Sequence, residues 1–436
     1  MNKKQLLTLS LLLPVFMGYA KRSLNEGSHK VNMANKDGNI QQARIGYVGT
    51  RNVSVVVDKN DGIVVVAKND TLDARGKREK ATYFNGSVQR YHGNTMPAVV
   101  FENPSYLQDA LPGYYAYAAV VIEGKGENEP EGIIVGYTND TAYALVRYHI
   151  DGTIVDPELF NFEVVPGSGK LIALAVASEG KHLKILAGSS PIANSGMTPL
   201  TSYNPDGRLA VSFDKANLAS VTAIAVEKVK EDYKKAKTEH QIVVAGITES
   251  AVGGVPAKTA TLVRYHVDGQ VSEGFNFSGF PQGLSKVVVN SLAVQDEDQT
   301  IVAGGSREGG LLVRYNKSGE LDYVDAAPGF LYTTVVVDRV NKNDIYVAGR
   351  FSNVSEDDGE KLNQSIVRRF TKDGRLNVMT FGENGTAYLY DGKLYGLDLF
   401  HTSKYKDALV TVGSLFSDGL TDKGQTAPFL YTIKRS

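Results

Sequence analysis

The chain has 436 residues, with 47 Lys and Arg against 48 Asp and Glu, a formal charge of −1, and neither Cys nor Trp. That balance excludes a nucleic-acid footprint, which concentrates Lys and Arg on one face. The absence of Cys excludes a disulfide framework and an acylated-cysteine anchor, and 44 Gly with 23 Tyr fit a turn-rich β protein better than a helical one.

In chain order, Lys3 and Lys4 precede an apolar run from Leu6 to Met17, and Gly18-Tyr19-Ala20 supplies the small residues that a signal peptidase reads. Residues 1–20 therefore read as an export signal, too short to span a bilayer, and no other run approaches membrane length. The expected destination is the periplasm or the outside of the cell, with no membrane span. Residues 21–35 are polar and aperiodic and read as a flexible leader. Asn35-Lys36-Asp37-Gly38-Asn39-Ile40 then gives a turn and a strand with no strand before it.

From there one pattern recurs. Its clearest copy is Thr261–Val271, T-L-V-R-Y-H-V-D-G-Q-V, an alternating strand, an Asp-Gly turn and a return strand, preceded by the apolar strand Ile242–Gly246. Asp-Gly between β-rich runs predicts a two-residue hairpin turn of the mirror-image type, with positive φ. Seven units follow this plan. Their first strands are Val53–Asp58, Tyr117–Ile122, Leu171–Ala177, Val221–Val226, Val288–Val294, Tyr332–Asp338 and Lys393–Leu399. An aromatic landmark falls at Tyr91, Tyr148, Tyr203, Tyr265, Tyr315 and Phe370, spaced 50 to 62 residues apart. A period of this size with four short strands per unit signals a propeller rather than separate domains. The seventh unit ends at Phe429–Ile433 and lacks a fourth strand, whereas the N-terminal strand after Gly38 lacks a partner. The expectation is an all-β, seven-bladed β-propeller of four-stranded blades over residues 36–436, its last blade closed by the N-terminal strand. An unclosed stack is the alternative.

Ile301-Val302-Ala303-Gly304, then Leu312-Val313-Arg314-Tyr315-Asn316 and Ser318-Gly319-Glu320-Leu321-Asp322, carry a resemblance. The run resembles the delta-60 repeat of bacterial exported β-propellers: an apolar strand ending in Ala-Gly, Leu-x-Arg-aromatic-Asn, a turn, and a Leu-Asp return. Units two to six match it. Unit one departs with Ala67-Lys68 and a Gly93-Asn94 turn, and unit three has Ser202 at the Arg position. The resemblance implies an exported bacterial propeller and supplies no catalytic residue.

Arg90, Arg147, Arg264, Arg314 and Arg368 hold equivalent positions. They read either as interblade packing arginines or as a guanidinium ring facing an anion. His92, His149 and His266 share a position too, but equivalents in different blades do not converge on one ion, so no metal site is expected. The Asp-Gly turns lack the spacing of a calcium loop. No H-E-x-x-H, G-x-S-x-G, Walker or dinucleotide motif occurs, and neither a catalytic residue nor a cofactor is assigned. The charged stretch Glu227–His240 reads as a solvated insertion. Links between second and third strands are long at Lys68–Gly86, Ser189–Thr198, Ile247–Thr259, Arg350–Gln364 and Ser414–Ala427, all emerging on one face. Within them Arg75, Lys77 and Arg78 are basic, Glu356 and Asp357 acidic, and Arg350 and Asn353 complete the binding candidates. The expected function is a monomeric, exported, non-enzymatic propeller that binds a protein or glycan through this face. The alternative is a propeller hydrolase or lyase with its site at the mouth of the central channel.

Overall fold

The computed structural model describes residues 40–434 apart from 45–49, 70–85, 123–130, 228–240, 282–286, 355–360, 400–407, 417–425 and breaks of four residues or fewer. The export signal, the leader, the Asp37-Gly38 and Gly93-Asn94 turns and all of the charged insertion beyond Glu227 lie outside the described residues.

Second strands such as I-V-V-V (63–66) and I-V-V-A (242–245) are apolar at consecutive positions, which only a strand covered on both faces tolerates. The fold follows from that demand. Among the described residues the protein is all-β, with a single four-residue helix, α1 (Leu107–Ala110). Strand β1 (Ile40–Arg44) comes first. The first group is β2 (Thr50–Val57), β3 (Gly62–Asn69), β4 (Gly86–His92) and β5 (Pro97–Val100). The second is β6 (Tyr115–Ile122), β7 (Gly132–Thr138) and β8 (Tyr143–Tyr148). The third is β9 (Lys170–Glu179), β10 (His182–Ser190), β11 (Leu200–Tyr203) and β12 (Leu209–Ser212). The fourth is β13 (Leu218–Glu227), β14 (Gln241–Val252) and β15 (Val255–His266). The fifth is β16 (Val288–Gln295), β17 (Gln299–Ser306), β18 (Gly309–Tyr315) and β19 (Leu321–Ala327). Then come β20 (Phe330–Asp338), β21 (Asp344–Val354), β22 (Lys361–Phe370), β23 (Thr386–Leu399), β24 (Ala408–Phe416) and β25 (Thr426–Lys434), which with β1 make one seven-stranded sheet. Every pairing within the groups is antiparallel.

That large sheet is two groups joined by one strand. The first half of β23 pairs with β22, Thr386 opposite Arg368, and its second half pairs with β24, Leu399 opposite Leu409. At the far edge β1 pairs with β25, Ile40 opposite Ile433 and Arg44 opposite Phe429.

Alternating side chains of the second strands β3, β7, β10, β14, β21 and β24 serve two different cores. Val64 and Val66 pack with Ala116, Ile133 and Val135 of the next group. Ile134 and Leu145 meet Leu171 and Ile185, and Leu186 meets Val221 and Val244. Val243 and Leu262 meet Val289 and Val313, and Leu312 meets Val335 and Val347. Ala348 and Val367 meet Leu394 and Leu409, and finally Val410 and Val412 meet Val55 and Val65 of the first group. The first strands abut in the same order, β2 on β6, β6 on β9, β9 on β13, β13 on β16, β16 on β20, β20 on β23, and β23 on β2. A partly buried hydrogen bond from the Val57 amide to Asp398 Oδ2, 2.7 Å, crosses that last contact.

Each first strand also carries a β-bulge, which lies beside an Ala-Gly step of the second strand in the groups that begin with β13, β16 and β20. The ladder skips Val53, Tyr117, Ile172, Thr222, Asn290, Thr333 and Tyr395. Gly246 and Gly349 make room for these bulges: a Cβ would lie 2.5 Å from the Ser220 carbonyl oxygen and 2.2 Å from that of Leu331.

Three expectations need correction. The turns between third and fourth strands are three-residue loops, not two-residue ones. His149, for example, donates its amide to Thr153 O and accepts from Gly152, and the same pair of bonds recurs at Asn204, His266, Asn316 and Thr371. Only the glycine has positive φ (+82° to +92° at Gly152, Gly207, Gly269, Gly319 and Gly374), which is a type I turn followed by a glycine bulge. The Asp instead accepts an amide bond, as Asp151 Oδ1 does from Thr153 at 3.0 Å.

Second, four strands per unit is not general. In the groups of β6–β8 and β13–β15 the fourth strand is reduced to single bridges, Tyr148 to Ile154 and Tyr265 to Val271. The chain leaves the edge because other partners take its backbone. Asp156 O accepts the amides of Leu159 and Phe160, and the Asn276 amide bonds to Ser318 O of the next group. Third, within Ile247–Thr259 the residues 247–252 and 255–259 are strand, as is much of Arg350–Gln364, not loop. The β14–β15 ladder continues to Val252 opposite Val255, and β21–β22 to Val354 opposite Lys361.

Candidate functional site

The sequence-derived loop candidates do not assemble into a site among the described residues. Arg75, Lys77, Arg78, Glu356 and Asp357 lie outside them. Arg350 and Asn353 sit on β21, Arg350 half-buried and opposite Ser365, so neither belongs to a loop. The reason is local: the alternation on either side of residues 355–360 suits a pleated pair and prolongs the ladder.

The arginines face protein acceptors, and one equivalence needs correction: Arg369, opposite Tyr346 and directly before Phe370, holds the position that Arg264 holds opposite Val243 and before Tyr265, whereas Arg368 is one residue out of register. Arg90 Nε and Nη2 each lie 2.7 Å from Asp58 Oδ2, with side chains 6% and 0% exposed. Arg147 Nη1 donates to the Pro205 carbonyl at 3.2 Å, Arg264 Nη1 to that of Lys317 at 2.9 Å, and Arg314 Nη1 to that of Lys372. These three acceptors are equivalent: each is the first residue of the three-residue glycine-bulge loop of the following group. Arg264 also pairs with Glu227, Arg314 with Asp322 at 2.7 Å, and Arg368 with Asp325 at 3.4 Å and the Tyr332 hydroxyl. Among the sequence-derived histidines, His149 is exposed and His266 half-buried. No cluster of three or more His, Asp or Glu able to hold a metal occurs among the described residues. No helix there is long and apolar enough to cross a membrane.

Buried tyrosines pair across and between groups, Tyr137 with Tyr148 at 2.6 Å and Tyr143 with Tyr203 at 2.7 Å between hydroxyls. Burial, foremost, holds all four phenols above their ordinary range, so they stay neutral at physiological pH.

A different constellation lies where the first strands begin, on the side of the second-to-third-strand links. Its base is the short link from Thr138 to Tyr143. Asn139 Oδ1 accepts the amides of Thr141 and Ala142, each at 3.1 Å, and Thr138 Oγ1 donates to Ala142 O at 2.9 Å. The link is tied to the start of β9: Gly169 N donates to Thr141 O at 3.0 Å, and Tyr143 N to Ser168 Oγ at 3.2 Å. Asp140, at its apex, has φ of +72°, a strained value for a residue with a Cβ. The Tyr115 hydroxyl donates to Asp140 Oδ1 at 2.8 Å, and Lys170 Nζ lies 4.0 Å from the same oxygen. Lys170 Nζ also sits 4.7 Å from the centre of the Tyr117 ring, and the Tyr115 and Tyr117 rings are 6.2 Å apart. The Asp140 and Lys170 side chains are 64% and 35% exposed.

The cluster therefore offers a carboxylate, an ammonium group and an aromatic surface on a rigid base. A carboxylate accepts from hydroxyl donors, an ammonium donates to oxygen, and an aromatic ring covers the C–H face of a sugar or an apolar side chain. Sequence reading passed over these four residues. Their segments are separated by 23 to 55 positions, and the link that holds Asp140 is the short one among longer neighbours. The only local signal was Asn139-Asp140 between two strands, which reads as a plain turn.

No family model matches the chain, and no curated protein matches it. Solved structures of similar shape include virginiamycin B lyase from Staphylococcus aureus, in an inactive form with quinupristin. It has a TM-score of 0.43 and 11% identity, over 89% of this chain and 98% of that one. Another is a gluconolactonase from Xanthomonas campestris, with a TM-score of 0.39 and 14% identity, over 69% of this chain and 82% of that one.

Proposed function

We propose that the chain is an exported seven-bladed β-propeller that binds a glycan or protein partner at the mouth formed by its first-strand beginnings and second-to-third-strand links. Closure of the ring is supported by the pairing of β1 with β25 and by the core shared between the last group and the first. Export rests on the character of residues 1–20. The arginines whose guanidinium reaches a carbonyl of the following group, Arg147, Arg264 and Arg314, serve on this reading to fasten one blade to the next.

One observation carries the binding site: Tyr115, Tyr117, Asp140 and Lys170 converge on a link fixed by its own hydrogen bonds, with the charged atoms left accessible. Sites on a rigid scaffold with a few convergent polar groups and aromatic surface are suited to ligand recognition. The test is a glycan array and a pull-down with residues 21–436, alongside Asp140→Asn and Lys170→Ala. Binding lost or weakened about tenfold in both variants supports the site, about the loss of one charged hydrogen bond. Retention of the same ligands at unchanged affinity by both variants overturns it.

A hydrolase or lyase at the same mouth is the second reading, favoured by the Asp140–Lys170 pair. A carboxylate and an amine 4.0 Å apart can act as proton acceptor and donor once a substrate lies against both. Turnover of a retained ligand, abolished in Asp140→Asn while binding persists, would select this reading over simple capture.

A further inference from the structure

We infer that six bulged first-strand positions, Tyr117, Ile172, Thr222, Asn290, Thr333 and Tyr395, form an uncharged collar around the axis of the molecule, and that this collar is a deeper subsite for a hydroxyl-bearing sugar ring. This rests on the mouth reading above and names the ligand class for the same site.

The placement follows from topology. Each first strand pairs along one edge with its second strand and meets a neighbouring group on each side. The accessible surface of a mid-strand residue there must face the space the first strands enclose. Tyr117, Ile172, Thr222, Asn290, Thr333 and Tyr395 are all partly exposed, whereas Ala116, Leu171, Val221, Val289, Tyr332 and Leu394, each immediately before its bulge, are buried. Bulges re-aim a side chain away from the regular pleat, and here one occurs at the same register in every first strand.

The chemistry is consistent around the collar. Asn290 Nδ2 donates to Tyr332 O at 2.6 Å, which fixes the carboxamide and leaves Oδ1 as an acceptor. Thr333 Oγ1 donates to Ala348 O at 3.2 Å and likewise keeps acceptor capacity. Thr222 adds a hydroxyl, and Tyr117 and Tyr395 add two aromatic rings. Neutral acceptors with aromatic surface suit the hydroxyl donors and C–H faces of a sugar. An inorganic anion would find no compensating charge at these positions.

The chain contains no Trp, so Tyr395→Trp places a single indole reporter at the collar. Neutral tetrasaccharides (β-1,4-glucan, α-1,4-glucan and β-1,4-mannan) and, separately, sulfate are titrated against it. Calorimetry with the unsubstituted chain, Asp140→Asn and the isosteric pair Thr222→Val with Thr333→Val runs in parallel, so that the reading does not depend on the reporter variant folding. The expected result is an indole emission shift with one of the sugars and none with sulfate, and an affinity three- to tenfold weaker in the threonine pair, the scale of one or two hydrogen bonds. A sugar whose affinity falls in Asp140→Asn but is unchanged in the threonine pair overturns the collar and leaves the mouth standing. A sulfate response without a sugar response overturns the ligand class, and no sugar binding by the unsubstituted chain overturns the glycan reading at both levels.

Discussion

At Asp58 two acceptor oxygens are fully used: Oδ2 takes both bonds from Arg90, and Oδ1 takes the amides of Asn60 and Gly62, each at 2.8 Å. Such a pair holds only while both members are present. Arg90→Ala leaves a buried carboxylate uncompensated and is expected to lower stability by about 3–5 kcal/mol, whereas Arg90→Leu with Asp58→Asn, which removes both charges and keeps an acceptor for the Asn60 and Gly62 amides, costs less. Urea unfolding of the single and double variants checks this, and equal losses in the two would contradict it. The arginine period was legible in the sequence as one residue recurring before an aromatic. Its acceptors were not, because Pro205, Lys317 and Lys372 sit in the turn of the following group, 53 to 58 residues away. Nothing in the local pattern distinguishes a guanidinium that meets a neighbouring carbonyl from one that meets a ligand.

The Ala-Gly step of β10, β14, β17 and β21 has two physical origins, and they predict different sensitivities. At Gly349 an added Cβ would stand 2.2 Å from the Leu331 carbonyl oxygen and 2.9 Å from Tyr332 Cα, which are backbone atoms of the bulged first strand. At Gly188 it would meet Val221 Cγ1 at 2.4 Å and Ile224 Cδ1 at 3.0 Å, side chains of the next group that can rotate. Gly349→Ala is therefore expected to cost more than Gly188→Ala, the latter falling within the roughly 1–3 kcal/mol typical of overpacking. Thermal unfolding of both, with Gly188→Ala/Val221→Ala as the relief variant, measures the difference; a larger loss at Gly188 would contradict it. Strand positions were the most legible part of this chain, since period-two alternation and double-sided apolar runs do not depend on distant partners. The fourth strands and the β14–β15 arm were less so. Val252-Gly253-Gly254-Val255 is itself a hairpin signal, but the polar residues around it, Thr248, Glu249 and Lys258, read as loop composition. In the structure Glu249 and Lys258 are cross-strand partners, their charged atoms 2.7 Å apart. At the opposite extreme, the four-residue mouth cluster had no sequence signature, because three separate elements bring it together.

For the whole molecule the decisive contact joins residues almost 400 positions apart. β1 covers the outer edge of β25 over five residue pairs, and the core of Val410 and Val412 with Val55 and Val65 lies beside it. An uncovered β25 would present a row of free amide and carbonyl groups on nine residues, a template for pairing with another chain. The orphan strand after Gly38 and the missing fourth strand after Ile433 were both visible in the sequence, and each was meaningful only because the other existed. Removal of residues 1–35 leaves β1 in place and is expected to leave the melting temperature unchanged. Removal of residues 1–44 deletes the β1 ladder, so a lower melting temperature and concentration-dependent self-association are expected. Thermal scans and size-exclusion chromatography at two protein concentrations read both outcomes. If closure by β1 is what joins the ends, a peptide of residues 36–46 added in excess restores part of the lost stability by reoccupying the edge, since a ligand of the folded state raises its apparent stability by mass action. A truncated chain that melts like its parent and stays monomeric would show that the shared core alone holds the ends together.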